Sequence, residues 1–194
     1  MYSRLFKRML DFSLALVGLL FAWPVLLLIA VAIKIDDPGP AIFKQKRVGI
    51  HKSYFELYKF RSMKVDTPDV PTHLLENPEQ YISRVGKFLR KTSLDELPQM
   101  INILKGEMSI IGPRPALWNQ YDLIEERDKY GANDVRPGLT GLAQVMGRDE
   151  LPIDVKAKYD GEYAQNVTFA HDVKIFFKTI TSVLGAEGVK EGKQ

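Results

Sequence analysis

The chain has 194 residues, a formal net charge of +3 and no cysteine, which excludes disulfides and thiolate metal sites and leaves room for one compact domain beside a membrane element. Its histidines, His51, His73 and His171, are too scattered in sequence to suggest a zinc site by spacing. A modest positive balance with neither a nucleic-acid motif nor a strong basic stripe fits an anionic phospholipid surface, and no nucleic-acid partner is expected.

The stretch from Phe12 to Ile33 carries no charge. As a continuous helix it reaches roughly 33 Å, nominally enough to cross a hydrocarbon core. Yet Arg4, Lys7 and Arg8 precede it while Lys34, Lys44, Lys46 and Arg47 follow it, and this bias places both ends on the cytoplasmic side. Pro24, near the middle, removes one helical hydrogen bond and clashes with the turn before it, which kinks the helix. A bent, re-entrant helix that enters and leaves by one face satisfies both observations and is favoured over a straight span. A cleaved signal peptide is not expected, because the stretch is too long and no small-residue cleavage pattern follows.

Ala41 to Val48 and Tyr54 to Arg61 hold short alternating runs bounded by Gly49 and a polar turn, which reads as a β-hairpin. Met63 to Pro78, with Pro68, Pro71 and Pro78, reads as a loop that either covers a bound ligand or is an inert surface segment. Helices are expected over Glu79–Lys91, Asp95–Leu104, Trp118–Tyr130 with Gly131 ending it, and Ile153–Gln165. The last helical stretch, Ala170–Leu184, sets Val173, Phe176, Phe177, Ile180 and Leu184 on one side. That face fits either a protein core or the headgroup plane, and it also leaves a homo-oligomer open. The expected fold class is α+β: a re-entrant membrane helix over 1–35, then a compact helix-rich cytoplasmic domain over 36–185. The domain would hold a small β-hairpin and interfacial amphipathic helices, and a polar tail over 186–194 would follow it.

The most telling run is Thr92-Ser93-Leu94-Asp95-Glu96-Leu97-Pro98-Gln99, followed by Gly112-Pro113-Arg114-Pro115. Ser93 with Glu96, or Thr92 with Asp95 one register earlier, fits a capping box, so a helix is expected to begin here. On that reading the acids only cap a helix and complement its dipole. On the other, the same helix start is where a phosphate docks beside a carboxylate. The neighbours are cationic: Arg84, Lys87, Arg90 and Lys91 precede the acids, and Arg114, Arg136 and Arg148 lie in Gly- and Pro-rich segments further on. Arg114 and Arg136 each stand beside proline, which stiffens the loop from which a guanidinium can reach a phosphate bidentately.

Together these motifs resemble the small monotopic phosphoglycosyl transferases of the bacterial sugar transferase family. The likeness runs from Lys7-Arg8-Met9-Leu10-Asp11 through Tyr58-Lys59-Phe60-Arg61-Ser62-Met63, the Ser93–Gln99 run and Gly112-Pro113-Arg114-Pro115 to Arg136-Pro137-Gly138 and Gly147-Arg148. The resemblance implies transfer of a sugar phosphate from a UDP-sugar to a polyprenyl phosphate with release of UMP, at the cytoplasmic face of a bacterial inner membrane. It also implies Mg²⁺ and a catalytic Asp-Glu pair, here Asp95 and Glu96, both expected near the metal. By the same likeness Lys59, Arg61, Arg90, Arg114, Arg136, Gln144, Arg148 and Asp160 are expected to contact substrate.

Asp95 is expected to attack the sugar-bearing phosphorus. The rival route, direct attack by the lipid phosphate with Asp95 as base, is weaker because a phosphate monoester with a second pKa of about 6 is already mostly ionised. Two residues depart from the family pattern: Trp23 precedes Pro24 where serine is frequent, and Leu142 stands where tryptophan is frequent, which puts the bend and a sugar contact in question. A non-catalytic membrane scaffold is the alternative from another class. A glycoside hydrolase is disfavoured, since its two carboxylates normally flank a sugar ring about 5 Å or more apart.

Overall fold

The computed structural model describes residues 2, 4–68, 77–147 and 151–184. Helix α1 runs as one element from Arg4 to Asp36, through Pro24. Strands β1 (Ile42–Val48) and β2 (Tyr54–Phe60) form the expected antiparallel hairpin, with Ile42 opposite Phe60 and Val48 opposite Tyr54. Then come α2 (Arg84–Thr92), α3 (Gln99–Lys105), β3 (Ser109–Ile111), α4 (Tyr121–Asp128), β4 (Gly138–Thr140), α5 (Leu142–Met146), α6 (Ile153–Gln165) and α7 (Phe169–Leu184). The mixed α+β class and the bounds of α6 agree with the sequence reading.

Several local expectations are corrected. The helix expected over 79–91 divides into a 3-10 turn at Pro78–Tyr81 and α2, because Ser83 caps α2 by accepting the Gly86 N–H at 2.9 Å. Neither capping box forms: Ser93 takes left-handed backbone (φ 56°, ψ 17°), whereas an N-cap needs extended geometry, and its side chain makes no cap hydrogen bond. Residues Leu94–Glu96 form a 3-10 turn, and Pro98 stands at the start of α3 rather than inside a helix. The fourth helix begins at Tyr121, not Trp118. The parallel pair of β3 and β4 was not foreseen, since three residues are too few to show alternation. Gly112 and Gly138 allow it, because a Cβ on either would run into backbone of the other segment.

α1 packs along the domain from end to end. Near its start, Lys7 Nζ lies 2.6 Å from Asp172, and Asp11 accepts from Ser109 Oγ at 2.7 Å and from the Ile110 N–H at 3.1 Å. Ala15 is buried with Phe55, Leu57, Ile103 and Met108. Towards its end, Ile29 and Ile33 join Ala41, Phe60 and Leu89, and Asp36 accepts the Val85 N–H at 3.0 Å. The opposite face is bare: Leu20, Phe21, Trp23, Leu27 and Leu28 are all exposed, and only 11% of the most apolar window is buried. A helix with so little cover is not the core helix of a water-soluble domain. In α7 the buried positions are Asp172 and Ile175, while Phe176, Phe177 and Ile180 face outward, so the core-packing reading of that face is corrected.

Candidate active site

The hairpin supplies one wall. Across it Phe43 faces Lys59, Gln45 faces Leu57 and Arg47 faces Phe55. Cross-strand partners share a face, so alternation puts Gln45, Arg47 and Lys59 on the side that buries Phe55 and Leu57. The second wall is the reversal between α2 and α3. Left-handed Ser93 ends α2, its N–H donating to the Arg90 carbonyl at 3.2 Å, and the tight turn that follows tucks Asp95 inward to 9% exposure. The third is the rigid Gly112-Pro113-Arg114-Pro115 segment.

These walls meet at Glu96. Its Oε1 accepts from Lys59 Nζ at 2.9 Å and from Arg114 Nη2 at 2.7 Å, with Arg114 Nη1 3.5 Å from Oε2. Burial opposes ionisation of Glu96, but Arg114 and Lys59 outweigh it and hold the carboxyl far below the usual range. Burial pushes the Asp95 carboxyl up, and the neighbouring Glu96 adds to this against the pull of Lys59, Arg114 and Arg90. Burial likewise lowers the Lys59 ammonium. Arg47, buried beside Arg114, is lowered to about 10. Arg47, Leu57, Lys59, Gln99, Arg114 and Pro115 line one recess, and Arg47 Nε and Gln99 Nε2 are buried there without a hydrogen-bond partner among the described residues. Four cations, Lys59, Arg114, Arg90 and Arg47, around the two carboxyl groups of Asp95 and Glu96 give the cluster surplus positive charge, which suits an anionic ligand.

The remaining expected residues divide. Arg90 reaches the site from α2, its Nε donating to Ser62 Oγ at 2.9 Å and its charge acting on Asp95. Arg61 does not join the acid pair. It is 8% exposed and braces the end of α1, with Nη1 3.0 Å from Asp37 Oδ2. Arg136 is also elsewhere: its Nε donates to the Gly106 carbonyl at 3.0 Å, at the far end of α3 from Asp95, roughly 10 Å of helix away. Among the described residues Gln144, on α5, makes a long 3.4 Å contact to the Leu139 carbonyl, and its buried Oε1 has no hydrogen-bond partner there. Asp160 sits in the interior against Arg127. Arg148 lies outside the described residues. Leu142 is buried with Ile111, Tyr163 and Ile175, so its departure from tryptophan is a matter of packing. Sequence reasoning missed Arg47 and Gln99 as lining of this recess; two-residue alternation along the hairpin would have put Arg47 on the same face as Lys59.

Among the described residues, no three of His, Asp and Glu cluster as a ready-made metal cage. Mg²⁺ does not need one, since one or two carboxylates with phosphate oxygens and water suffice. Glu96 Oε1 already takes both Lys59 and Arg114, whereas Oε2 has a 3.5 Å contact to Arg114. An ion at the pair would draw on Asp95 and on Glu96 Oε2.

Residues 2–186 match the family described as bacterial sugar transferase. The undecaprenyl-phosphate galactose phosphotransferase of Salmonella typhimurium is 38% identical over 96% of this chain and 42% of its own length. The UDP-glucose:undecaprenyl-phosphate glucose-1-phosphate transferase of Escherichia coli is 43% identical over 92% of this chain and 40% of its own. The UDP-N-acetylgalactosamine-undecaprenyl-phosphate N-acetylgalactosaminephosphotransferase of Aeromonas hydrophila is 37% identical over 95% and 45%. The chain thus spans less than half the length of these relatives.

Proposed function

The chain belongs to the bacterial sugar transferase family, and from that premise we propose that it moves a sugar 1-phosphate from a UDP-sugar to undecaprenyl phosphate, giving a polyprenyl diphosphosugar and UMP. The observation that carries the reading is the Asp95–Glu96 pair set among Lys59, Arg114, Arg90 and Arg47. A cap-only role needed the capping geometry that Ser93 does not adopt, so the scaffold alternative loses its main support.

The pair divides the work. Glu96 anchors Lys59 and Arg114 so that their remaining N–H groups face the phosphates. Asp95 attacks the sugar-bearing phosphorus; the bond to the UMP oxygen breaks, and an aspartyl phosphosugar remains. An oxygen of undecaprenyl phosphate then attacks the same phosphorus and releases the Asp95 carboxylate. Arg114 takes up charge on the equatorial oxygens in both halves. Mg²⁺ held through Asp95 and Glu96 Oε2 would neutralise pyrophosphate charge.

The enzyme sits on one face of a bacterial inner membrane, with the catalytic domain in the cytoplasm and α1 re-entrant. Two observations support that placement. Both ends of α1 are tied to one domain, by Lys7 and Asp11 at the start and Asp36 at the end, whereas a straight span would separate its ends by a core of about 30 Å. The bare faces of α1 and α7 then give two apolar contacts with phospholipid at the headgroup level.

The test is to incubate purified protein with a panel of UDP-sugars and undecaprenyl phosphate and measure UMP. Without lipid, labelled UMP should exchange into the UDP-sugar that supports turnover. Release of no UMP with any donor overturns the transfer; turnover without exchange overturns only the covalent route.

A further inference from the structure

Four consecutive carbonyls of the segment from Pro113 to Ala116 each accept one hydrogen bond, from donors on three elements, β1, α4 and β4. The Gly138 N–H donates to Pro113 at 2.8 Å and the Val48 N–H to Ala116 at 3.0 Å. Between them Arg127 Nη2 donates to the Arg114 carbonyl at 2.9 Å, and Arg47 Nη1 to the Pro115 carbonyl at 2.9 Å. Two of the four residues are prolines without an N–H, so this stretch is held mainly through its carbonyls. The side chain it presents to the acid pair is Arg114, whose Nη2 lies 2.7 Å from Glu96 Oε1.

Arg127 lies on α4 and is 4% exposed. Its Nε and Nη2 both donate to Asp160 Oδ2 on α6, at 2.9 and 2.6 Å. Asp160 is 1% exposed, and its Oδ1 has no hydrogen bond among the described residues. A buried ion pair that merely filled the interior could be exchanged for apolar residues of similar volume without loss. This one has a second duty, because the Nη2 that binds Asp160 also fixes the main chain at Arg114.

We propose that Arg127 and Asp160 are positioning residues for the transfer. Asp160 sets the guanidinium plane of Arg127, Arg127 fixes the Arg114 carbonyl, and the Arg114 side chain is thereby aimed at Glu96 and the donor phosphates. Neither residue touches substrate. The inference rests on the sugar-phosphate transfer reading, and it gives Asp160 a place one step behind the site in exchange for a direct substrate contact.

The test is a double-mutant cycle on the full chain in nanodiscs, with UMP release from the UDP-sugar that wild type uses. Asp160→Asn, nearly isosteric, is expected to lower kcat by about 10- to 100-fold with KM for the donor little changed, as expected when a reacting group is misplaced by up to about an ångström. Arg114→Gln should cost at least as much, and Asp160→Asn added to Arg114→Gln should cost nothing further. Arg127→Lys supplies a second variant with the same expected non-additivity should Asp160→Asn fold poorly. Amide exchange gives a readout independent of turnover: the Val48 and Gly138 N–H groups, which hold the same segment, should exchange faster in either variant, while those of α1 keep wild-type rates. Losses that multiply in the cycle, or unchanged exchange at Val48 and Gly138, overturn the proposal. Failure of the wild type to release UMP from any donor would sink the transfer reading instead, and exchange at Val48 and Gly138 would still decide whether the pair holds the segment.

Discussion

Replacing Glu96 with glutamine removes one negative charge and almost no volume. The side chains of Lys59 and Glu96 are 17% and 18% exposed, so their contact is largely out of water, while Arg114 is 39% exposed and more screened. Glutamine still offers a carbonyl oxygen to both donors. What is lost is the charge-assisted part of two hydrogen bonds, about 1 kcal/mol for Lys59 and roughly half that for the wetter Arg114. About 1.5 kcal/mol in a chain of this size corresponds to a fall in Tm of about 3–6 °C. The sign of its pH dependence follows from the depressed Glu96 carboxyl. Its stabilisation is fully present above the unfolded value of about 4.3 and is lost as pH falls from there toward the lower folded value. Thermal unfolding followed by tryptophan fluorescence should therefore show a constant gap between wild type and Glu96→Gln around neutrality, narrowing below about pH 4.3. A variant as stable as wild type at neutral pH, or a gap that widens on acidification, would refute the reasoning.

Asp95→Asn should behave in the opposite way. Burial already disfavours the Asp95 carboxylate, so the amide should leave Tm unchanged or higher at neutral pH while UMP release and exchange fall by about 10³-fold or more. Asp172 accepts from Tyr2, Lys7 and Tyr163 and is 6% exposed. Asp172→Asn should cost about 3 kcal/mol, read as lowered Tm and faster proteolysis between α1 and the domain. Ser83→Ala removes the cap on α2 and should cost about 1 kcal/mol, or about 2–4 °C, with activity falling only in proportion to folded protein.

Much of the candidate site was legible because its residues are neighbours in sequence or fall on a simple period. Asp95 with Glu96, the proline-flanked Arg114, and Lys59 on a strand are short-range patterns, and they do converge. Arg61 and Arg136 are not brought to the acid pair. Each stands in a motif that resembles a substrate contact, yet each is taken up by a nearby structural acceptor, Asp37 for Arg61 and the Gly106 carbonyl for Arg136.

By itself the sequence determined an apolar element with basic flanks, a hairpin, the helical character of most of the rest, and the run of motifs that marks the family. All are set by composition and local periodicity. Tertiary structure alone decided that Ser93 turns left-handed and ends a helix instead of starting one, that Arg47 lies buried beside Lys59, that β3 pairs with β4, and that Asp160 grips Arg127 behind Arg114. Those outcomes depend on which distant groups burial forces together, and a buried cation takes whichever carboxylate or carbonyl the packing brings within reach.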